Sequence, residues 1–125
     1  MNAGRSTFPG LRVLVVEDEA FIAMELEEML HELRCEIIAT ASTVDDALAY
    51  VRRGGIDGAL LDLNLHGNSV FPVAEELAVS AVPFILLTGY SRRESDPPLL
   101  REARRVNKPF SLTSLSAAIG ETLLR

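Results

Sequence analysis

The chain has 125 residues, of which 48% are hydrophobic, and carries a formal net charge of −6. That length suits one domain with a single core, and that composition excludes a disordered chain. The acidic balance argues against direct DNA or RNA binding, which needs a basic face for phosphates, and no apolar run is long enough to span a bilayer.

The first ten residues contain Gly4, Ser6, Pro9 and Gly10, and they read as a flexible N-terminal arm (residues 1–10) ahead of one domain (residues 11–125). Arg5 is the only basic residue in this stretch, which has no apolar core, so it is not a secretory signal. Cys35 is the single cysteine, which rules out an internal disulfide and fits a reducing, cytoplasmic setting. It is expected to be a small buried hydrophobe. The pairs Arg52-Arg53, Arg92-Arg93 and Arg104-Arg105 are expected to be solvated helix ends and loops. No linker or second domain is visible, so any output is expected to pass through another molecule.

In chain order, Leu11 to Val16 is an apolar, β-branched run that predicts a first strand and ends in Glu17-Asp18-Glu19. From Ala20 the period changes: Ile22, Leu26, Met29, Leu30 and Leu33 form a helical stripe, with Glu25, Glu27, Glu28 and Glu32 off it. Glu36 to Ala41 predicts a second strand. Thr43 to Asp46 resembles a capping box with Asp in place of Glu or Gln, and it opens a helix with Val44, Ala47, Leu48 and Val51 inward and Gly54-Gly55 as its stop. Asp57 to Leu63 predicts a third strand, buried on both faces, that delivers Asp62 to its carboxyl end.

After the polar residues His66-Gly67-Asn68, the residues Val70, Val73, Ala74 and Leu77 make a third helical stripe, with Pro72 near its start. Pro83 to Leu87 predicts a fourth strand leading into Thr88-Gly89-Tyr90. Pro97-Pro98 forbids a long regular helix between Ser91 and Glu102, so a short or broken one is expected there. Arg104 to Asn107 is a short last strand that gives way to Lys108-Pro109-Phe110. Ser111 then caps a final helix with Leu112, Leu115, Ile119 and Leu123 on its apolar stripe.

Alternating strands and helices predict an α/β fold: a doubly wound, five-stranded parallel sheet of order 2-1-3-4-5, with right-handed crossovers and a shortened or broken fourth helix. In open sheets of this kind ligands bind beyond the carboxyl ends of the strands. The predicted order brings Glu17, Asp18, Asp62, Thr88 and Lys108 to that end together. Three carboxylates in one crevice repel one another without a cation, and hard oxygen ligands suit Mg²⁺. A carboxylate can attack phosphorus, and the transferring group needs cationic and hydrogen-bonding clamps. Lys108 and the Thr88 hydroxyl are of the right kind for that.

The segments Val-Val-Glu17-Asp18-Glu19, Leu-Leu-Asp62-Leu-Asn64, Leu-Leu-Thr88-Gly89-Tyr90 and Lys108-Pro109-Phe110 resemble the receiver domain of two-component response regulators, over Leu11 to Leu124. The resemblance implies a flavodoxin-like receiver fold. It implies that Asp62 is the phosphoacceptor for a histidine kinase or phosphotransfer protein. Glu17 and Asp18 would be metal acids, with Asn64 lending its backbone carbonyl to Mg²⁺. Thr88 would be the switch hydroxyl, Lys108 the phosphoryl contact, and the Lys108-Pro109 bond would be cis. Such a protein signals to a downstream effector or relays phosphate, with no enzymatic turnover beyond its own phosphorylation and dephosphorylation.

The chain departs from the family pattern in three places. Arg105 stands where Tyr or Phe is usual, His66 stands where Pro is usual, and the helix after Thr88 is cut short. Thr88-Gly89-Tyr90, together with Phe84 and Phe71-Pro72, resembles an atypical subgroup of stand-alone receivers with a Phe-Ala-Thr-Gly-x-Tyr type motif, although Leu86-Leu87 replace Phe-Ala. Without the usual aromatic, the response is expected in the Thr88-Gly89-Tyr90 loop, with Tyr90 changing its packing. An unpaired buried guanidinium is too costly for Arg105 to swing inward in its place. Two other readings compete. An aspartate-nucleophile phosphatase would need a second acid where Asn64 stands, and a flavodoxin-like cofactor binder would need a Gly, Ser and Thr-rich loop where Glu17-Asp18-Glu19 stands.

Overall fold

The computed structural model describes residues 6–89 and 96–124, and the statements below concern those residues. The elements run β1 (Arg12–Val16), α1 (Ala20–Glu32), β2 (Glu36–Ala41), α2 (Val44–Arg53), β3 (Gly58–Asp62), β4 (Asn64–Leu65), β5 (Asn68–Ser69), α3 (Phe71–Val79), β6 (Phe84–Thr88), α4 (Pro98–Arg101), β7 (Arg105–Asn107) and α5 (Leu112–Thr122). Five of the strands form one parallel sheet in the order β2-β1-β3-β6-β7. This is the predicted order once the two-residue strands β4 and β5, which pair only with each other, are set apart.

Strand side chains alternate between the two sheet faces, and each face has its own core. Val13, Val15, Leu60, Ile85 and Leu87 join Leu26, Leu30 and Leu33 of the α1 region and Leu115, Ala118, Ile119 and Leu123 of the α5 region. Leu14, Val16, Ala59, Leu61 and Leu86 join Ala47 and Val51 of α2, Val73, Ala74 and Leu77 of α3, and Leu100 of α4. Every residue of β3 is buried, as the apolar run around Leu60 and Leu61 predicts. Full burial of a leucine side chain is worth roughly 2 kcal/mol. The strand's apolar residues can therefore hold Asp62 at the edge of the core against its desolvation.

Local chemistry sets the helix ends. The Thr43 hydroxyl accepts from the Asp46 N–H at 3.1 Å. Ser111 and Ser114 form a reciprocal capping box at the start of α5. Gly54 ends α2 at φ 80°, a conformation favourable to glycine. Gly58 opens β3 under Leu123, and a Cβ there would lie 2.8 Å from the Leu123 methyls. As expected, α4 is a single turn beginning at Pro98.

The structure corrects four expectations. The expected loose arm is packed from Phe8 onward: its ring is buried, and its N–H donates to the Leu33 carbonyl at 2.7 Å. The ring lies against α5 at Gly120, where a Cβ would sit 3.8 Å from it, an ordinary packing distance. The third strand runs from Gly58 to Asp62, not from Asp57 to Leu63. Asp57 instead binds Arg12, accepting from its backbone N–H at 2.8 Å. The polar loop after Asp62 contains a β4–β5 hairpin that sequence periodicity did not foresee.

The fourth correction is Arg105, which is buried rather than solvated. It pairs with Leu86 across the β6–β7 ladder, and its guanidinium lies under the turn that begins α4. Nη2 donates to the Leu100 carbonyl at 3.2 Å and faces Asp96 Oδ2 at 3.4 Å. Nε and Nη1 have no hydrogen-bond partner among the described residues. The cost that seemed to exclude burial is met in part by a counter-charge from the segment just before α4.

Candidate functional site

The polar groups predicted to meet do meet, at the carboxyl end of the sheet. β1 pairs with β3 and β3 with β6, so the residues leaving these strands are neighbours. Glu17 follows β1 and is anchored by its N–H, which donates to the Ala41 carbonyl at 2.9 Å. Asp62 closes β3, and Thr88 closes β6 with its side chain buried. Lys108 follows β7, its N–H donating to the Thr88 carbonyl at 2.9 Å, and the Lys108-Pro109 peptide bond is cis. Together with Asp18, Asn64, His66, Gly67 and Gly89, several of these residues line an open cavity of about 490 Å³.

Lys108 is the cation of the site. Its Nζ donates to Glu17 Oε1 at 3.2 Å and to Asp62 Oδ1 at 3.3 Å. Burial alone would depress the ammonium, yet Asp62 and Glu17 hold it above the usual lysine range. Burial pushes the Glu17 carboxyl up to about 7, and the nearby Asp62 charge adds to this, against the opposing pull of the Glu19 N–H and Lys108. Asp62 is raised as well, chiefly by burial, with Lys108 and the Asn64 N–H among the groups opposing the rise. One ammonium is thus shared by two carboxylates that burial makes reluctant to ionise.

Asp18 behaves differently. Burial is the largest single influence and opposes its ionisation, but the backbone N–H groups of His66 and of Asp18 itself, with the Asp62 side chain and the His66 ring, together outweigh it and hold the carboxyl below the usual aspartate range. That N–H donates to Asp18 Oδ2 at 2.7 Å, and the His66 Nδ1 lies 3.5 Å from the same oxygen. Glu17, Asp18 and Asp62 each offer an oxygen, and these oxygens lie within 4.8 Å of one another, a group that could hold a metal ion. All-carboxylate donors and an excess of negative charge fit a hard divalent cation.

Asn64 sits in β4, beside Asp62. Tyr90, the expected moving aromatic, lies outside the described residues. The sequence reading passed over His66 as a functional residue. The signals for it were the His66-Gly67-Asn68 turn and its place where Pro is usual in the family, and neither reveals which carboxylate its amide will meet.

The chain can now be set beside known proteins. A family model, the response regulator receiver domain, matches residues 13–120. The chain is 33% identical over 115 residues to the transcriptional regulatory protein PdtaR of Mycobacterium tuberculosis, a match covering 86% of this chain and 54% of PdtaR. It thus spans about half the length of that relative. The solution structure of SdrG from Sphingomonas melonis Fr1 is 41% identical with a TM-score of 0.78, covering 89% of this chain and 94% of SdrG. The response regulator PhyR from Brucella abortus is 30% identical with a TM-score of 0.80, covering 94% of this chain and 49% of PhyR. The fold, the order of its strands and the family match agree: this chain belongs to the response regulator receiver domains of two-component signalling.

Proposed function

We propose that Asp62 accepts a phosphoryl group from a phosphohistidine on a histidine kinase or phosphotransfer protein, in a Mg²⁺-dependent reaction. The observation that supports this most is the position of Asp62, between the acids Glu17 and Asp18 and the cation Lys108, on the wall of an open cavity. An oxygen of Asp62 attacks phosphorus, the new O–P bond forms as the P–N bond breaks, and the imidazole leaves with its electron pair. Glu17, Asp18, Asp62 and the Asn64 carbonyl would hold Mg²⁺, which supplies charge neutralisation for the transferring oxygens. When the phosphoryl group occupies Asp62, Lys108 transfers its contact from the carboxylate to a phosphoryl oxygen, and the Thr88 hydroxyl donates to another. Asn64 stands where an aspartate-nucleophile phosphatase would carry its second acid, so no carboxylate is placed there to activate water. That favours a signalling domain over a hydrolase.

The phosphorylated form would act in the cytoplasm through protein–protein contacts, on a downstream effector or in a phosphorelay. No described helix is long and apolar enough to cross a membrane. Membership of the atypical stand-alone subgroup would rest on Thr88-Gly89-Tyr90 together with Phe84 and Phe71-Pro72. The response itself would run through the segment from Thr88 to Pro98. Its far end is tied to the sheet edge by Asp96 on Arg105.

The test of the acceptor is labelling with acetyl phosphate or phosphoramidate, read by intact mass. The protein should gain one base-labile phosphoryl group with Mg²⁺ and none with EDTA, and Asp62→Asn should gain none. Equal labelling of Asp62→Asn would overturn the assignment. The test of the response is amide exchange with and without beryllofluoride and Mg²⁺. Changes should centre on residues 88–100, and an unchanged segment would place the response elsewhere.

A further inference from the structure

Directly after the acceptor strand the chain makes a minimal hairpin. Asn64 pairs with Ser69 and Leu65 with Asn68, leaving His66 and Gly67 as a two-residue turn. Both turn residues have positive φ, 49° and 82°, the signature of a type I′ hairpin turn. Glycine takes this conformation freely, but for histidine it is uncommon and costs energy. Something in the surroundings must favour the arrangement. Among the described residues, His66 is bonded to the rest of the site by its N–H to Asp18 Oδ2, at 2.7 Å and across a sequence separation of 48 residues.

This contact does not follow from the hairpin ladder, which is complete without it. It joins the loop after β3 to the end of β1. The root of the loop bears Asn64, and its crest holds one oxygen of Asp18. The imidazole contributes little to this, being 60% exposed with Nδ1 at 3.5 Å from the same oxygen. A carboxylate held by one oxygen through a backbone donor loses its rotational freedom and presents the other oxygen in a set direction. Groups that orient a metal ligand in this way tune affinity without touching the ion.

We propose that the His66-Gly67 turn is a positioning element of the cation site: the His66 backbone N–H fixes one Asp18 oxygen so that the other is available to the metal. The proposal rests on the reading of Glu17, Asp18 and Asp62 as the Mg²⁺ site, and it assigns the role to the peptide group rather than to the imidazole. A proline at this position could not serve, since it lacks the N–H and its ring locks φ near −65°. A glycine could, because it keeps the N–H and adopts positive φ without strain.

The experiment is a titration of the phosphate-free protein with MgCl₂ alone, followed by calorimetry and by amide chemical shifts. His66→Gly should bind Mg²⁺ as tightly as the parent or more so. His66→Pro should bind it about tenfold more weakly or worse, as expected when a partner that orients a ligand is lost. If His66→Pro is folded by its amide spectrum and binds Mg²⁺ like the parent, the proposal is wrong. If His66→Gly loses as much affinity as His66→Pro, the imidazole carries the contact and the assignment to the peptide group is overturned.

Should His66→Pro fail to fold, the unaltered protein decides. Its His66 amide should exchange slowly without Mg²⁺ and stay protected as Mg²⁺ is added. Exchange at the rate of a solvated turn amide would refute the contact. Failure of the underlying reading looks different, because in that case the parent itself would show no Mg²⁺ binding.

Discussion

Lys108 and Arg105 are two cations drawn in from the surface of this domain, and their surroundings differ. Lys108, at the centre of the sheet's carboxyl end, keeps a 22% exposed side chain and touches two carboxylates at 3.2 and 3.3 Å. Arg105, three residues earlier on the edge strand, has a 6% exposed side chain, one carboxylate at 3.4 Å and two nitrogens with no acceptor. Lys108 is a point charge shared between Glu17 and Asp62, acids that burial makes reluctant to ionise. Arg105 is a planar fork only partly satisfied, held where the family usually places an aromatic ring. The first arrangement gives charge placed for chemistry. The second spends stability to tie a short segment to the sheet edge, and a partly satisfied buried ion pair is weak evidence for net stabilisation.

The contrast can be broken most severely at Asp96. Asp96→Ala leaves the Arg105 guanidinium buried without its counter-charge, and losing one partner of such a pair costs about 3 kcal/mol. Denaturant unfolding should show that loss, while Mg²⁺-dependent labelling of the folded fraction persists. A change below about 0.5 kcal/mol, the range of ordinary surface substitutions, would mean that the pair is not formed in solution.

The Lys108 side of the contrast is exposed by pH. Glu17 holds its proton up to about 7 when folded, against 4.5 for an ordinary glutamate. Between those values the unfolded chain has released a proton that the folded chain still binds. Rising pH therefore favours unfolding in this window, and the effect levels off above it. Metal-free protein should lose up to about 1.4 kcal/mol per pH unit from this group, with Asp62 adding in the same direction. Urea melts in EDTA at pH 5, 6 and 7 check the slope, and Glu17→Gln should flatten it. A parent protein whose stability is level or rises with pH over this range would show that Lys108 fully compensates both acids.

The smallest effect is expected at Arg105 itself. Arg105→Met removes the guanidinium together with its two orphaned nitrogens and keeps much of the volume. Stability should change by less than about 1.5 kcal/mol, of either sign, since hydrophobic replacement of a buried ion pair is often neutral or better. A loss as large as that of Asp96→Ala would show that the guanidinium is better satisfied than its contacts imply.

Much of the site could be read from the chain before any coordinates. Short apolar runs between turn residues, β-branched in Arg12–Val16 and leucine-rich in Gly58–Asp62, point to strands, and each strand's own sequence states which acid, hydroxyl or amine it carries to its end. The strand order then follows from the general rules of doubly wound folds, so the meeting of Glu17, Asp62, Thr88 and Lys108 was implicit in the chain. Pro97-Pro98 likewise announced the single-turn α4, because proline's missing N–H is a local fact.

What the tertiary structure alone decided is the fate of residues whose neighbours are distant in sequence. Phe8 sits among glycines and prolines with no periodicity to mark it. It is buried because it joins the core cluster that α1 and α5 build on one face of the sheet, and the Leu33 carbonyl receives its N–H. Arg105 looks like half of a solvated pair. It is buried because strand alternation turns it inward at the sheet edge, and Asp96 meets it there. His66 reads as a loop residue, and its amide finds Asp18 only when β1 and β3 lie side by side. Secondary structure and strand-end chemistry are set by local sterics and solvation, which a sequence displays. The partner of a buried charge or a turn amide is set by which surfaces the packed sheet brings within 3 Å or so of each other, a distance on the scale of one hydrogen bond that no pattern along the chain encodes.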